Sequence, residues 1–389
     1  MGNNNAYRVS VAVCPDYVHV AAALAATLEP WGGMGAFVRP GQQVCLKVNL
    51  LRVSPPEAAV TTHPAVVKAV ALAVRDAGGF PFLADSPGGG LPYTRAVLER
   101  AYKSAGYAAL ADEIGLALNF DVGAREVHFD EGKIARRFNV LTPVLEADAV
   151  INLCKLKTHA FTYLTGAIKN LFGVIPGYDK PGFHGRLQRA DYFAEMLLDV
   201  ALFVRPVLSV LDAVTAMEGN GPGLGDPRKV GLLLASASPL ALDLAAGALT
   251  GLPPEEHPVI RAAAGRGLKP VKTEELDVVG RPLAPIADWK WPPTLVSKHG
   301  FVGYGPAAAL LSRVFREGYS VQPRVVPAEC TGCGHCREAC PAGAVEIING
   351  KSLIEEKLCI RCYCCHEACP ENAIELRRGF LNRLLNRRA

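Results

Sequence analysis

Eight of the twelve cysteines lie in two near-copies of one motif close to the C-terminal end of the chain. Each copy has the spacing C-x2-C-x2-C-x3-C-P, which binds a [4Fe–4S] cluster in bacterial ferredoxins. The copies consist of Cys330, Cys333, Cys336 and Cys340, and of Cys359, Cys362, Cys365 and Cys369. Thiolates at this spacing predict that the C-terminal part folds around iron–sulfur clusters and that the chain moves electrons.

The last cysteine of each motif is expected to cross over to the other cluster. Three close cysteines can hold three corners of a cubane cluster, and in two-cluster ferredoxins the fourth ligates the other cluster. The predicted ligand sets are Cys330, Cys333, Cys336 and Cys369 for one cluster, and Cys359, Cys362, Cys365 and Cys340 for the second. The two segments align over eighteen residues and repeat after 29 residues, which predicts a duplicated half-domain around a pseudo-twofold axis.

Two other uses of these cysteines compete with cluster binding. C-x2-C pairs also hold structural zinc, but zinc sites usually separate the two pairs by a longer loop. Disulfides form in oxidising compartments, whereas this N-terminus has neither the basic nor the apolar region of a secretory signal. Cys364 lies between two predicted ligands, and a frame that used it would break the match to the first motif. We interpret Cys364 as a spare thiol.

The remaining composition indicates a globular chain with several domains. A length of 389 residues is enough for two or three domains, and half of the residues are hydrophobic. No apolar run reaches the length of a membrane span, because Asp199 interrupts the most apolar stretch, residues 196–204. A net charge of +4 is too small to indicate nucleic-acid binding by itself. We expect a cytoplasmic protein with no transmembrane segment and no nucleic-acid partner.

The first 280 residues alternate short apolar runs with amphipathic helical patterns. Strands are predicted at residues 8–14, 44–50, 80–84, 150–153, 207–211 and 230–235, and helices at residues 64–77, 94–104, 188–203 and 239–250. This alternation predicts an α/β domain with a mostly parallel sheet and flanking helices. Thr62 is the predicted N-cap of the helix that Pro64 begins, and Gly78 and Gly79 are expected to end that helix. A small β-hairpin is expected within residues 120–138.

Composition changes divide the chain into four parts. These are an α/β domain (1–281), a connecting segment (282–320), a small α+β ferredoxin-like domain (321–376) and a basic tail (377–389). The connecting segment contains a predicted helix at residues 307–315. One face of a helix drawn through the tail carries four apolar side chains, Phe380, Leu381, Leu384 and Leu385, and arginines surround them. Such a tail packs on its own domain in most proteins; the alternative is docking to an acidic partner or a membrane surface.

Polar side chains stand where three of the apolar strands end. They are Lys47 and Asn49 in the second strand, Asp85 and Ser86 after the third, and Lys155, Lys157, Thr158 and His159 after the fourth. In parallel α/β sheets, ligands bind beyond the carboxyl ends of the strands. Three strands that deliver polar residues to the same end of the sheet therefore predict one binding site.

Further cationic and amide side chains are expected in the same cleft. Lys169 and Asn170 lie in a glycine-bounded apolar run, and Lys180 and His184 follow it. With the lysines of the strands they would form a positive pocket suited to a carboxylate or phosphate. A lysine desolvated among other cations can also act as a base or nucleophile. The predicted catalytic groups are Lys155, Lys157, His159, Lys169 and Asp85, and the predicted substrate-binding groups are Lys47, Asn49, Ser86, Thr158, Asn170 and His184.

Several of these features also have a plainer interpretation. The glycines at residues 88–90 lack the spacing of a nucleotide-binding loop, and Asp85 can simply cap the turn that follows it. His63 is placed for a structural hydrogen bond at a helix start. The glycine-rich loop at residues 217–223 is explained as well by a turn as by a lining of the cleft.

The chain resembles a known family at these residues. The segments CLKVNLL, TTHPAVVKAV, LADSPGG, INLCKLKTH, TGAIKNLFGVIPG and MEGNGPGLGDP together resemble proteins of the domain of unknown function 362 family, many of which carry a C-terminal two-cluster ferredoxin domain. The resemblance implies this domain layout and iron–sulfur binding, and it implies no substrate. The architecture is also distantly similar to the N-terminal domain of nickel-dependent lactate racemases. That family's cofactor-anchoring pattern is not reproduced, so no nickel cofactor is expected.

Two main hypotheses follow for the function. In the first, the chain is an oxidoreductase in which two [4Fe–4S] clusters pass electrons to a small anionic substrate in the lysine-rich cleft. In the second, it is a ferredoxin-type electron carrier whose α/β domain is a docking scaffold and whose acidic cluster domain meets an electron donor or acceptor protein. A third role, clusters as structural staples or redox sensors, ranks lowest because the sequence shows no basic, aromatic-rich surface for nucleic acid.

Overall fold

A mixed β-sheet forms the centre of the N-terminal part of the molecule. The computed structural model describes residues 6–88, 91–177, 179–187, 189–292, 321–340, 342–359, 361 and 363–378. Its strands are β1 (Arg8–Val13), β2 (Gln43–Lys47), β3 (Phe80–Ala84), β4 (Ala117–Leu118), β5 (Ala124–His128), β6 (Arg137–Leu141), β7 (Ala149–His159), β8 (Tyr163–Leu164), β9 (Leu208–Glu218), β10 (Asp226–Ser236), β11 (Asp277–Gly280), β12 (Val321–Val325), β13 (Val345–Ile348), β14 (Lys351–Ile354) and β15 (Ile374–Arg378).

Helices cover both faces of this sheet. The helices of the N-terminal part are α1 (Val20–Leu28), α2 (Pro64–Asp76), α3 (Arg95–Ser104), α4 (Tyr107–Ile114), α5 (Thr142–Leu145), α6 (Gly166–Asn170), α7 (Asp179–Arg186), α8 (Ala190–Val204), α9 (Pro239–Thr250) and α10 (Pro258–Gly265). Two short helices, α11 (His335–Glu338) and α12 (Cys364–Ala368), belong to the C-terminal part. The helix predicted at 307–315 and residues 379–389 of the predicted tail lie outside the described residues. None of the described helices is long and apolar enough to cross a bilayer.

The strand order places a reversal of topology beside β2. Among the described residues, the sheet has the order β11-β1-β10-β9-β7-β2-β3-β4, and β8 pairs with β7. Five neighbouring pairs are parallel, whereas β10 is antiparallel to β1 and β9. The predicted α/β fold with a mostly parallel sheet is thus confirmed. Because β3 lies on one side of β2 and β7 on the other, the carboxyl ends of these three strands flank a switch point, where α/β sheets bind ligands.

Strand β2 divides the hydrophobic core into two faces. Val44 and Leu46 belong to the core that α1 and α2 cover, whereas Cys45 belongs to the core beneath α8. Successive side chains of a strand point to opposite faces of the sheet. Lys47 therefore shares the α8 face with Cys45, and all four side chains are fully buried.

Strand β7 is longer than predicted, and the prediction that it ends near residue 153 is wrong. It continues to His159, and its parallel pairing with β9 extends through Lys155 to Lys157 across a register shift. Polar residues in a strand resemble a loop in sequence. Here they remain in the strand because the side chains and backbone of neighbouring strands satisfy them.

The predicted N-cap of α2 is also wrong by one residue. The ring Nδ1 of His63 accepts the hydrogen bond from Ala65 N at 3.2 Å and so caps the helix. Thr62 is buried instead, where its hydroxyl donates to Leu153 O at 2.7 Å and accepts from Asn49 N at 2.9 Å. Thr62 therefore links β7 to the segment after β2, which a helix cap would not do.

The acidic residue in the most apolar stretch of the sequence anchors the predicted hairpin. Strands β5 and β6 pair antiparallel, as expected for residues 120–138. Asp199 of α8 accepts backbone hydrogen bonds from Lys133, Ile134 and Ala135 in the connecting loop, at 2.7 to 3.0 Å. Its carboxylate also pairs with Arg266 at 2.7 Å. The buried charge is thus fully compensated, as buried charges must be.

The C-terminal part consists of two similar halves. The first half contains β12, α11 and β13, and the second contains β14, α12 and β15. Left-handed backbone recurs 29 residues apart in three pairs, Gly332 and Arg361, Gly334 and Tyr363, and Gly343 and Asn372. The halves exchange strands, because β12 pairs with β15 and β13 pairs with β14. This is the arrangement expected of a duplicated half-domain, and β15 extends two residues into the predicted tail.

A buried carboxylate on α9 holds the short helix α6 in place. Asp243 accepts hydrogen bonds from the backbone N–H groups of Ala167 and Ile168 in the first turn of α6. Gly166 has a φ of +55°, and a Cβ at this position would collide with the Asp243 carboxylate. Asp243 therefore fixes the helix that carries Lys169 and Asn170.

We expect that replacing Asp243 with Ala lowers the free energy of unfolding by about 1–3 kcal/mol for each buried N–H group that loses its acceptor. Thermal unfolding of the holoprotein, followed by circular dichroism, measures the change. The matched control is Asp112→Ala on the exposed surface of α4, which should change stability by less than about 0.5 kcal/mol.

The buried carboxyl group of Asp243 also predicts that the stability of the fold depends on pH. Burial raises the pKa of Asp243 to about 7, although the two backbone hydrogen bonds oppose this shift. A raised pKa favours the protonated form in the folded state, so this contribution to stability is complete below about pH 4 and is lost as the pH rises through about 7. Asp243→Asn should remove that part of the pH dependence. An unchanged profile in this variant would contradict the assignment.

Candidate functional site

A small pocket of about 50 Å³ lies at the carboxyl ends of β2, β3 and β7. Its lining consists of Lys47, Asn49, Leu50, Leu51, Asp85, Ser86, Gly88, Lys157, Thr165, Lys169, Asn170, Phe172, Gly173, Lys180 and Pro222. The pocket thus occupies the topological switch point of the sheet.

A buried ion pair forms the floor of this pocket. Lys47 Nζ lies 3.0 Å from Asp85 Oδ1, and both side chains are buried. Asp85 Oδ2 also accepts from Leu50 N at 2.9 Å, so the carboxylate ties the end of β2 to the end of β3. Burial raises the pKa of Asp85 to about 6, against the opposing charges of Lys47 and Lys180. A Cβ at Gly173 would collide with this pair, which explains the glycine there.

A second layer of hydrogen bonds fixes the amide side chains. Asn170 Nδ2 donates to Asn152 Oδ1 at 2.7 Å and to Val48 O at 3.2 Å. Asn170 Oδ1 accepts from Asn49 Nδ2 at 2.8 Å, and Asn49 Oδ1 in turn accepts from Lys157 Nζ at 2.8 Å. The chain of bonds runs from α6 across β2 to β7. Lys157 is therefore held on a rigid framework at the pocket wall.

The charges around the pocket favour an anion. Four lysines line it, and Asp85 is the one carboxylate among the described residues of its lining. Lysine is a compact cation, and buried charges are stable only when they are paired. A small carboxylate or other oxyanion would balance the excess positive charge.

The structure brings most of the predicted site residues together. The pocket lining includes Lys47, Asn49, Asp85, Ser86, Lys157, Lys169 and Asn170. Four predicted residues are absent from that lining, namely Lys155, Thr158, His159 and His184.

Lys155 belongs to a separate buried cluster, which corrects its predicted place in the pocket. Its Nζ lies 2.7 Å from Asp212 Oδ2 and donates to the Tyr17 hydroxyl at 3.0 Å. The Tyr17 ring stacks on the His63 ring at 3.4 Å. Lys155 has the strand parity of Leu153 and so points to the face that α1 and α2 cover, opposite to Lys47. The Lys155–Asp212 pair connects β7 to β9.

The other three residues outside the pocket make local structural contacts. His159 Nδ1 accepts from Phe161 N at 3.0 Å and from Thr162 N at 3.3 Å, which shapes the turn after β7. The Thr158 hydroxyl donates to Gly219 O at 2.9 Å, and the His184 ring stacks on Phe193 at 4.3 Å.

Four cysteines line a second, small cavity in the C-terminal part. They are Cys330, Cys333 and Cys336 from the first motif and Cys369 from the second. The sulfur of Cys330 accepts from Ser352 N at 3.3 Å, and that of Cys369 accepts from Ala373 N at 3.2 Å. Cysteine thiolates with N–H···S bonds are the ligand set of [4Fe–4S] clusters, so these residues fit such a group.

The remaining cysteines follow the same pattern where they are described. Cys340 Sγ accepts from Ala344 N at 3.2 Å, which repeats the bond between Cys369 and Ala373 29 residues earlier. Cys359 and Cys365 lie in the second half, and Cys362 is outside the described residues. Cys364 is buried at the start of α12.

Arg52 is a partly buried arginine close to the pocket that carries no signal in the sequence. It follows β2 at the rim of the pocket, where its guanidinium donates to Gly223 O. Burial lowers the pKa of Arg52, and the charge of the Cys369 thiolate opposes that shift.

Two family models match separate parts of the chain. The model described as "Domain of unknown function (DUF362)" matches residues 44–248, and the model described as "4Fe-4S dicluster domain" matches residues 329–374. A thylakoid-associated protein of Synechocystis sp. is 41% identical over 283 residues, which are 71% of this chain and 84% of that protein.

One solved structure has a weak likeness in shape. It is the lactate racemase apoprotein from Thermoanaerobacterium thermosaccharolyticum, with a TM-score of 0.39 and 11% sequence identity. The match covers 59% of this chain and 54% of the racemase chain, so this chain spans about half the length of the racemase. At this level the likeness says nothing about the chemistry of the pocket.

Replacing Lys155 with Met is expected to destabilise the fold by about 3–5 kcal/mol, because it leaves the buried Asp212 carboxylate without its counter-charge. Thermal unfolding of the holoprotein measures the change. Lys155→Met combined with Asp212→Leu should recover a large part of the loss, since both buried charges are then removed. Lys103→Met, on the exposed side of α3, is the matched control. A stable but inactive Lys155→Met protein would instead support the catalytic role predicted from sequence.

Proposed function

This chain belongs to the DUF362 family and carries a 4Fe-4S dicluster domain, and from these two premises we propose that it is an iron–sulfur oxidoreductase. In this proposal, two [4Fe–4S] clusters bound by the C-terminal part supply electrons to a small anion in the lysine-lined pocket. The observation that carries the proposal is the cavity that thiols from both cysteine motifs line together.

The proposed ligands are those of the crosswise assignment. Cys330, Cys333, Cys336 and Cys369 would hold one cluster, and Cys359, Cys362, Cys365 and Cys340 would hold the other. The exchange of strands between the two halves supports this, because it brings the last cysteine of each motif toward the other half. When bound, such clusters supply single electrons at a potential set by hydrogen bonds to sulfur and by exposure to solvent.

The residues of the pocket would bind and orient the anion. Lys157 and Lys169 approach it from β7 and α6, where the amide network and Asp243 hold them. Asp85 keeps Lys47 oriented toward the pocket. Leu50, Leu51 and Phe172 give the pocket an apolar wall, which limits water and strengthens electrostatic interactions inside it.

Arg52 supports a functional connection between the two sites. Its guanidinium donates to Gly223 O, next to Pro222 of the pocket lining, and a negative charge on Cys369 would act on it. A fused donor and acceptor need no encounter step between cluster and substrate, while an external electron donor protein would re-reduce the clusters after each turnover. The protein's contribution would be to fix the substrate relative to the electron source.

The second candidate function is that of an electron carrier with a separate protein partner. Seven exposed glutamates support it, namely Glu329, Glu338, Glu346, Glu355, Glu356, Glu371 and Glu375 in the C-terminal part. An acidic surface would steer encounter with a basic electron donor or acceptor protein. In that case the α/β part would be a docking scaffold and changes in the pocket would leave electron exchange unaffected.

A peripheral attachment is a further proposal for the basic tail. Residues 379–389 lie outside the described residues, and their sequence alternates leucines with arginines. The Synechocystis relative is named for an association with thylakoids. A basic amphipathic segment next to a membrane surface would fit that description.

Single replacements of cysteine by Ala test the cluster assignment. Anaerobically prepared protein should contain about eight iron atoms per chain, four for each cluster. Cys333→Ala and Cys369→Ala should each lose the same cluster and show the same residual electron paramagnetic resonance spectrum after reduction. Cys340→Ala should lose the second cluster and keep the one that Cys333 and Cys369 hold.

Cys364→Ala is the matched control, because Cys364 is a buried cysteine in the same motif that the assignment leaves unused. It should retain about eight iron atoms. Different residual spectra for Cys333→Ala and Cys369→Ala would contradict the crosswise arrangement. Zinc in place of iron would exclude the whole proposal.

Reoxidation of the reduced protein tests the oxidoreductase role. The dithionite-reduced holoprotein is mixed with small carboxylates and phosphates, and the return of cluster absorbance is followed. A substrate should accelerate reoxidation, and Lys169→Met should reduce the rate constant per substrate concentration by about 10- to 100-fold, the loss of one charge-assisted hydrogen bond.

Lys103→Met serves as the control and should behave as the unmodified protein. If no small anion accelerates reoxidation, while a redox partner protein exchanges electrons equally with all variants, the carrier function replaces the oxidoreductase function.

A further inference from the structure

Lys180 is held in a way that suits two protonation states. It lies on α7 and is buried, and its Nζ donates to three oxygens, Ser86 O at 3.0 Å, Ser86 Oγ at 2.7 Å and Pro87 O at 3.2 Å. The three protons of an ammonium group are thus all satisfied. In the neutral amine, the Ser86 hydroxyl can rotate its proton toward Nζ, while its oxygen still accepts from Gly177 N at 2.9 Å.

The charged groups that face Lys180 come from four elements. Asp85 and Asp179 favour its charged form, whereas Lys47 on β2 and Lys169 on α6 disfavour it. Burial is the largest influence, and together these effects lower the pKa of Lys180 to about 7. The neutral and charged forms are therefore close in free energy at neutral pH, and a new charge in the pocket will shift the balance between them.

We propose that Lys180 is the proton-accepting residue of the pocket, so that a small oxyanion binds there together with a proton. The inference rests on the proposed function, because it concerns the same anion site. An anion beside Lys47, Lys169 and Lys180 stabilises the ammonium form of Lys180. A protein that was partly neutral at this position takes up as much as one proton on binding.

The linkage between proton binding and anion binding fixes how the affinity for the anion changes with pH. If the anion raises the proton affinity of Lys180, protonation of Lys180 raises the affinity for the anion by the same factor. The dissociation constant should therefore rise by as much as tenfold per pH unit above about pH 7. Below about pH 6, protonation of Asp85 removes a negative charge from the pocket and adds to the affinity for the anion, so the test of Lys180 uses the range above pH 7. The anion then binds best under conditions in which a proton is already available beside it.

Calorimetric titration of the oxidised holoprotein tests the proposal. Sulfate is the tetrahedral probe and oxalate the planar carboxylate probe, because neither gains or loses a proton between about pH 6 and 9. Titrations in buffers of different ionisation enthalpy count the protons taken up. We expect uptake near pH 8 for whichever anion class the pocket accepts, and the two probes separate a carboxylate site from a tetrahedral-oxyanion site.

Two variants separate the proton-accepting role from simple charge. Lys180→Arg keeps a positive charge that does not titrate, so between about pH 7 and 9 it should bind the anion with a dissociation constant independent of pH. Lys169→Met should weaken binding about 10- to 100-fold and keep the pH dependence, because Lys180 is intact. Iron content and circular dichroism confirm that each variant is folded.

The outcomes distinguish a failure of the Lys180 role from a failure of the anion pocket itself. Binding without proton uptake, or a pH dependence that persists in Lys180→Arg, overturns the role of Lys180 and leaves the anion pocket intact. If neither sulfate nor oxalate binds to cluster-loaded protein at any pH, the anion pocket of the proposed function is overturned as well.

Discussion

The buried Lys47–Asp85 pair is the interaction on which the N-terminal site depends. Charges inside a protein are costly unless they are compensated, and here one carboxylate lies among four lysines of the pocket. Asp85 also receives the backbone N–H of Leu50, so the position of the loop after β2 depends on this carboxylate. Gly173 is required above the pair because a side chain would occupy the same space. The four lysines around this carboxylate are the feature on which the proposed anion site rests.

The C-terminal part satisfies a different constraint, that of placing thiols from two motifs around one cavity. A single half cannot do this, since each half carries one motif, in which the third cysteine lies in the short helix and the fourth follows it. The exchange of strands between halves solves the problem, because β12 pairs with β15 and β13 with β14. Equivalent N–H···S bonds at Cys340 and Cys369 show that both halves use the same local geometry. The duplication is therefore a structural requirement of the cavity and not only a trace in the sequence.

Local spacing predicted the cysteine motifs and the α/β class, because both depend on short-range patterns. The face of the sheet to which a polar strand residue points depends on how the strands pair. For this property the prediction from the sequence was wrong. Lys155 and Lys47 both follow apolar strand cores, yet they lie on opposite faces of the sheet. Thr62 has the residue type of a helix cap, but a buried link to Leu153 takes its hydroxyl. Arg52 could not be predicted at all, since its role depends on which part of the chain comes to lie beside it.

Two buried lysines show why residue type alone does not define a site. Burial lowers the pKa of Lys155, but Asp212 and Tyr17 outweigh it, and the pKa is raised. Lys180 is equally buried, yet burial prevails and its pKa falls to about 7, because Asp85 already pairs with Lys47. A lysine with its own carboxylate is a permanent cation that connects strands. A lysine that shares a carboxylate with a second lysine can exchange a proton near neutral pH. This difference in pKa separates a structural lysine from one that is suited to bind a ligand.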